Sequence, residues 1–475
     1  MKGEHYSINA QRCKYVVTDY VTTSLAFFLF NIFRYYYIQS AHNIAPDLGS
    51  YLLTHKIVLE QIFVPLGLMG VYALSGYYNS PFVKSRLSEF SSTFYSAMAN
   101  SVLIYLFMLI NDSSGMRRKD YLTIIVLFGL LFSLTYIGRL IITASVIRKL
   151  RRREWNYVTL IVGNSKAARK IYDRLRNAHS VWGYEVAGFV RIPGEREVQD
   201  DLPVFDLDEV ERVCRTHKVD QIILAPERRS DKGVMAMLGR LFPIGLPVKI
   251  APDLLSYITG NIRLNDLMGV PLVDLTSPRM NEFQKNVKRV FDISASVMTM
   301  IVLSPVLAWI SVMVKIGSKG PVIYSQERIG KKQKPFKIYK FRSMRMDAEA
   351  DGPQLSSEND SRITPFGKIM RKYRLDELPQ FWNVIRGDMS LVGPRPERDF
   401  FIRQIIQEAP YFGLVFQVRP GVTSLGMVKF GYASDVEQMV ERSRYDLIYL
   451  NNMSLSTDAK IMIYTVKTVL TGKGK

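Results

Sequence analysis

Apolar positions dominate four stretches of the first third of the chain, at about 16–38, 57–79, 93–110 and 121–147. Each approaches or exceeds the ~20 residues that a helix needs to cross a ~30 Å hydrocarbon core, so the pattern predicts four membrane spans joined by short polar loops. Beyond them the period changes. Residues 158–163 read as a buried strand running into a turn, 167–176 as the helix that follows, and 184–190, 219–225 and 247–251 as further strands between helical stretches. Strand and helix in alternation predict a small parallel sheet of Rossmann-like build. A fifth apolar run, 293–314, is interrupted by Ser304-Pro305 near its middle. After it, 320–324 and 336–341 read as short strands around a tight turn. The expected fold class is therefore a membrane α-helical bundle over 1–153, an α/β Rossmann-like middle domain over 154–275, and an α+β domain over 282–475 with a broken membrane helix at about 287–316.

Charge adds direction to this pattern. A formal charge of +20 and a pI near 9.7 call for an anionic partner: nucleic acid, a phospholipid surface or a phosphorylated substrate. No nucleic-acid motif is present, and the basic residues cluster beside apolar runs as expected at an anionic cytoplasmic membrane face. Lys84 and Arg86 in the second loop, and Arg148, Lys149, Arg151, Arg152 and Arg153 after the fourth run, place both ends of the bundle in the cytoplasm. Arg117, Arg118 and Lys119 run against that orientation, and the denser cluster dominates. The fifth run has basic flanks on both sides, Lys285, Lys288 and Arg289 before it and Lys315 and Lys319 after it, so charge gives it no direction. An ordinary span and a helix that dips into one leaflet and returns both satisfy that pattern. Cys13 and Cys214 are the only cysteines, which leaves no disulfide framework or cysteine-rich metal site, and the N-terminus is expected to carry no removable signal peptide.

In the middle domain, Gly163-Asn164-Ser165-Lys166-Ala167-Ala168 follows the first strand. A dinucleotide fingerprint needs a second glycine where backbone approaches the pyrophosphate, and Ser165 stands there. A structural, regulatory or dimerising role is expected ahead of cofactor binding.

The stretch with most chemistry is Arg371-Lys372-Tyr373-Arg374-Leu375-Asp376-Glu377-Leu378-Pro379-Gln380. Two adjacent carboxylates stand beside three cations, and Pro379 biases Leu378 toward an extended or turn conformation. Sequence neighbours cannot share one face of a regular element, so such a pair serves best at an element's end, where one carboxylate can attack while the other holds a metal. Alone, the stretch also reads as a solvated acidic turn. Its company decides: Lys340-Phe341-Arg342-Ser343-Met344 upstream, then Gly387-Asp388-Met389-Ser390-Leu391-Val392-Gly393-Pro394-Arg395-Pro396-Glu397 and Arg419-Pro420-Gly421-Val422-Thr423 downstream. In this order and spacing the motifs closely resemble the bacterial sugar transferases, the monotopic-type polyprenyl-phosphate phosphoglycosyl transferase family in its long form, over about residues 285–475.

The resemblance implies a transfer of hexose 1-phosphate from a UDP-sugar to undecaprenyl phosphate that initiates exopolysaccharide, capsule or O-antigen synthesis, with glucose or galactose as the sugar. It implies that Asp376 attacks the phosphate next to the sugar, releases UMP and carries the sugar phosphate, while Glu377 holds Mg²⁺. Substrate contacts are implied for Lys340, Arg342, Arg395, Arg419 and Asp446, and a re-entrant hairpin broken at Ser304 and Pro305. The expected location is the bacterial inner membrane, with lipid as a partner, no nucleic acid, and room for a homodimer and for polysaccharide-assembly partners. The residues agree: His occurs five times and never after His217, which excludes a histidine-driven site here, and a carboxylate nucleophile needs no base. Arg395 between two prolines is a rigidly presented guanidinium, suited to phosphate or, structurally, to pairing with Asp388 or Glu397. After Thr423 the family commonly continues with Gly and an Ala- or Trp-Gln-Val stretch, whereas this chain reads Ser424-Leu425-Gly426-Met427-Val428-Lys429, a departure that bears on the sugar. Two rival readings are a membrane-bound nucleotide-sugar dehydratase or epimerase, which needs a glycine-rich dinucleotide loop that is absent after residue 285, and a non-catalytic scaffold, against which the intact Asp376-Glu377 pair argues.

Overall fold

The structure, a computed structural model, describes residues 8–42, 47–79, 86–111, 120–152, 154–195, 202–227, 231–251, 272–275, 280–346, 348 and 360–471. It forms two compact units, Met1–Asn156 with His179–Gly183, and Tyr157–Ala178 with Tyr184–Lys475.

The first unit is helical: α1 (Ile8–His42), the short α2 (Leu48–Leu52), α3 (His55–Leu74), α4 (Arg86–Asn111) and α5 (Asp120–Arg151). Among the described residues, three stretches are long and apolar enough to cross a membrane, Asn9–Tyr37, His55–Leu74 and Leu122–Leu150, which supports membrane association. Of the four spans expected, three meet this measure and the helix over the third expected run does not. The remaining helix, α4, opens with Glu89 and a series of Ser and Thr residues, so its apolar part covers little more than its second half. Phe90, Phe94, Phe128, Phe132 and Tyr136 form a ring ladder between α4 and α5, with Phe94 5.4 Å from Phe128 and Phe90 5.6 Å from Tyr136. The interior of the bundle is polar at one level. Arg139 donates to both oxygens of Asp19 at 2.9 and 2.7 Å, Tyr78 donates to Asp19 at 2.8 Å, and Tyr77 donates to Glu89 at 2.6 Å. Asp19 and Arg139 have no exposed surface, which among apolar helices requires such pairing. Lys84, Arg117, Arg118, Lys119 and Arg153, on which orientation was argued, lie outside the described residues.

In the second unit a six-stranded sheet has the order β3-β2-β1-β4-β5-β6, from β1 (Tyr157–Val162), β2 (Tyr184–Val190), β3 (Val204–Phe205), β4 (Gln221–Leu224), β5 (Val248–Ile250) and β6 (Val273–Asp274). The first five are parallel and β6 is antiparallel, the doubly wound arrangement. Strands β3 and β6 escaped the sequence reading because two residues carry no period. Leu160, Val162, Ile222 and Leu224 fill one face and Ile161, Phe189 and Ile223 the other, as strands covered on both sides require. Helix α6 (Lys166–Trp182) runs six residues past the expected end. Helices α7 (Val210–Thr216) and α8 (Asp231–Leu241) complete the layers.

The chain then enters α9 (Glu282–Val302) and α10 (Ser304–Gly317), bent by 64° at a break held by Ser304, whose hydroxyl donates to the Ile301 carbonyl at 2.7 Å, and by Pro305 in the first turn of α10. Met298, Ile301, Val302, Trp309, Val312 and Ile316 around the bend are exposed. Strands β7 (Ile323–Ile329) and β8 (Pro335–Phe341) pair antiparallel from Ile323 with Phe341 to Ile329 with Pro335. The first strand thus begins three residues later than expected. The connection is not a tight turn but residues 330–334, with Lys332 and Gln333 both at positive φ. Next come α11 (Pro365–Lys372), α12 (Gln380–Arg386), β9 (Ser390–Val392), α13 (Asp399–Glu408), β10 (Gly421–Thr423), α14 (Leu425–Lys429), α15 (Val436–Asn451) and α16 (Leu455–Leu470). Their core holds Val384, Met389, Ile405, Tyr449 and Ile461. This region is tied to the sheet layer by Gln417, whose amide donates to the Leu275 carbonyl at 2.9 Å.

Candidate active site

The Asp376-Glu377 pair is placed by a helix stop and restart. Thr364 caps α11 by accepting from the Gly367 amide at 3.0 Å, and Pro365 opens that helix. Gly367 lies so close to strand-end Ser343 that a Cβ would stand 2.1 Å from its carbonyl oxygen. After Lys372, Arg374 takes a left-handed backbone at φ 54°, and Leu375–Glu377 form one turn of 3-10 helix before α12 begins. Leu378 stands in a turn at φ −54° and ψ −38°, one of the two conformations expected before Pro379, and the chain coils through Pro379 into α12.

Both carboxylates are buried, each 8% exposed, yet they differ. Glu377 accepts from Lys340 Nζ at 2.9 Å and from the Arg374 guanidinium at 3.1 and 2.6 Å. Burial opposes its charge, but Arg374, Lys340 and Arg395 outweigh it and hold the group well below the usual carboxylate range. The Asp376 side chain makes no hydrogen bond or ion pair among the described residues and lines a cavity of about 650 Å³. Burial, then the adjacent Glu377 charge, push it up against Lys340, Arg371 and Arg374. Lys340 is kept in register with the pair by Asn383 of α12, which accepts from the Tyr339 amide at 3.0 Å and donates to the Lys337 carbonyl at 2.7 Å.

Arg328, Lys340, Arg342, Arg371, Arg395 and Arg442 also line the cavity, with Met344, Phe401 and Met439 supplying apolar wall. The Arg395 guanidinium stands 3.9 Å from Glu377, 3.8 Å from Glu397 and 5.4 Å from the Tyr432 ring centroid, with no hydrogen bond from its N–H groups to the described residues. Its donors are available to an anion. Glu397 gathers the other arginines, accepting from Arg442 at 2.6 Å with Arg328 at 3.6 Å. Arg342 donates to the Ser318 carbonyl and hydroxyl at 2.7 and 2.9 Å, while its buried Nε has no hydrogen-bond partner among the described residues.

The remaining expected residues sit elsewhere. Asp446 of α15 lies behind the cavity wall, accepting from the backbone amides of Arg395 at 3.3 Å and Gly426 at 3.0 Å, and burial pushes it up to about 6 despite those bonds. Arg419 Nε donates to the Gly387 carbonyl at 2.8 Å, and Arg289 donates to Ile385 and Met389 carbonyls at 3.3 Å, so both cations serve the C-terminus of α12. Ser304 and Pro305 are at the helix break, apart from the cavity lining. Tyr432 and Arg442 were missed in the sequence. Burial pushes the Tyr432 phenol up, but Arg395, Lys340 and Arg371 outweigh it and bring it down to about 7. The available signal was position: Tyr432 follows the segment that departs from the family pattern.

Among the described residues no group of three or more His, Cys, Asp and Glu side chains is placed to hold a metal. Glu377 offers one carboxylate, a donor set that suits Mg²⁺ held largely by water and substrate phosphate, and a metal there competes with Lys340 and Arg374 for the same oxygens.

Comparisons with known proteins agree with this geometry. The family described as bacterial sugar transferase matches residues 283–472, and one described as CoA-binding domain matches residues 73–252. The chain is 39% identical over 229 residues to the UDP-N-acetylgalactosamine-undecaprenyl-phosphate N-acetylgalactosaminephosphotransferase of Aeromonas hydrophila, covering 48% of this chain and 53% of that protein. It is 34% identical over 286 residues to the UDP-glucose:undecaprenyl-phosphate glucose-1-phosphate transferase of Klebsiella pneumoniae, covering 60% and 62%. Against the protein of the same name from Escherichia coli it is 32% identical over 343 residues, covering 70% and 73%. It therefore spans between half and two thirds of the first two relatives and nearly three quarters of the third. With a matching family over its last two fifths, a relative matched over most of its length, and the Asp-Glu pair set in a cation-lined cavity, the chain belongs to the bacterial sugar transferase family.

Proposed function

We propose that this protein transfers a sugar 1-phosphate from a UDP-sugar to undecaprenyl phosphate at the cytoplasmic face of the inner membrane. The observation that carries this reading is the division within one buried pair: Glu377 is bound by Lys340 and Arg374, while Asp376 has no partner among the described residues and lines the cavity. An Asp376 oxygen attacks the phosphorus next to the sugar, the bond from that phosphorus to the bridging oxygen breaks, and UMP leaves with the electron pair. An oxygen of undecaprenyl phosphate then attacks the same phosphorus, the aspartyl bond breaks, and the carboxylate returns. Arg395 and Lys340 neutralise phosphoryl charge through both displacements, and Arg371 adds to the positive field. Mg²⁺ on Glu377, when bound, supplies further neutralisation of the diphosphate.

The bent pair α9 and α10 serves as a re-entrant hairpin in this reading. Its exposed apolar bend and basic flanks support entry into one leaflet and return. Labelling of single cysteines placed on either side of Ser304-Pro305 should then occur only from the cytoplasm, and labelling after residue 314 from outside the cell would refute it. The reaction is tested by UMP release from UDP-glucose, UDP-galactose and their N-acetylated counterparts, with Mg²⁺ and with or without undecaprenyl phosphate. Loss of release in Asp376→Asn is expected, and an Asp376→Asn variant as active as wild type refutes the nucleophile.

A further inference from the structure

The segment in which this chain departs from the family pattern leads into one wall of the cavity, at Tyr432 and Ala433. Ser424 caps α14 by accepting from the Met427 amide at 3.0 Å. Gly426 passes so close to α15 that a Cβ would lie 2.8 Å from Arg442 Cγ. The amides of Phe430 and Gly431 both return to the Gly426 carbonyl, at 2.9 and 3.2 Å, and Gly431 turns the chain at φ 93°. The next residue, Tyr432, is thereby delivered to the cavity that Asp376 lines.

Charged groups from every neighbouring element act on its phenol: Arg395 from the Pro394–Pro396 loop, Lys340 from β8, Arg371 from α11, Glu377 from the 3-10 turn, Arg328 from β7 and Arg442 from α15. The ring lies against the Arg395 guanidinium at 5.4 Å, a cation–π distance. A diphosphate whose sugar-bearing phosphorus is within reach of Asp376 has to lie among these same cations.

We infer that Tyr432 is a donor-binding residue: its ring fixes the plane of the Arg395 guanidinium, and its hydroxyl donates a hydrogen bond to a phosphoryl oxygen of the nucleoside diphosphate. The negative charge of the bound diphosphate favours the protonated phenol, a hydrogen bond onto a charged oxygen is stronger than one between neutral groups, and the ring limits the rotation of a long arginine side chain. The identity of the anion rests on the proposed reaction.

The test measures UDP binding to the purified full chain by calorimetry, with thermal midpoints recorded alongside, for wild type, Tyr432→Phe and Tyr432→Leu. Tyr432→Phe keeps the ring and loses the hydroxyl, and is expected to weaken UDP about ten-fold at an unchanged midpoint. Tyr432→Leu also loses the platform and is expected to weaken UDP further. Equal UDP affinity in wild type and Tyr432→Phe overturns the inference, as does a lowered midpoint with unchanged affinity of the folded protein, the signature of a purely structural tyrosine. UDP is not turned over, so this result stands apart from the reaction. Wild type that binds UDP through Tyr432 yet releases UMP from no UDP-sugar would sink the reaction and leave the binding role in place.

Discussion

At the scale of single residues, the site works by giving two neighbouring carboxylates opposite surroundings. Glu377 is held ionised by direct hydrogen bonds from Lys340 and Arg374, whereas burial and the Glu377 charge raise Asp376 to about 6. An attacking carboxylate has to be ionised, so the rate of the first UMP release should fall as pH drops through about 6 and level off above it. A rapid-quench profile that stays flat from about pH 5 to about pH 7 would contradict this assignment. Glu397 tests the arginine wall: Glu397→Gln leaves Arg442 and Arg328 without their shared anion. Removing one partner of a buried pair costs about 3–5 kcal/mol, so this variant should melt earlier and bind UDP more weakly, as calorimetry would show. Asp376 and Glu377 were legible in the sequence because their motif is local and its company unbroken. Tyr432 was not, because what brings it to Asp376 is a turn at Gly431 and the packing of Gly426 on Arg442, neither of which has a periodic signature.

At the scale of elements, placement depends on backbone proximity more than on side-chain fit. Helix α11 lies against Ser343 only because residue 367 has no Cβ, and that approach fixes where the following 3-10 turn presents the carboxylates. Gly367→Ala should therefore cost about 1–3 kcal/mol and reduce UMP release by more than the loss of folded protein explains. Comparing specific activity with the folded fraction at several temperatures checks this, and proportional losses would argue that the contact matters for stability alone. The sequence showed where the apolar helix breaks, since Pro at the first turn of α10 is written in the chain, and the bend is found there. It misjudged the strand before Gly330, because residues 325–329, mixed in chemistry and in burial, gain their strand character from pairing with β8 and not from alternation.

At the scale of the whole molecule, the helical unit and the α/β unit each bury charge at their centres, and neither network could be read from hydropathy, which averages a single Asp or Arg into its apolar surroundings. In the helical unit the tie is Asp19 with Arg139, both without exposed surface. Arg139→Ala should destabilise this unit by about 3–5 kcal/mol, while Asp19→Leu combined with Arg139→Met should restore much of the loss. Thermal unfolding in detergent followed by helical signal distinguishes the two, and a double variant no better than Arg139→Ala would mean that the pair does more than neutralise itself. The two partners are 120 residues apart. At a synthesis rate of roughly 5–20 residues per second, Asp19 leaves the ribosome about 6–24 s before its arginine exists. An unpaired aspartate within a span costs about 2.5–3.5 kcal/mol, so α1 is expected to wait, sheltered by the insertion machinery, until α5 emerges to release it into lipid.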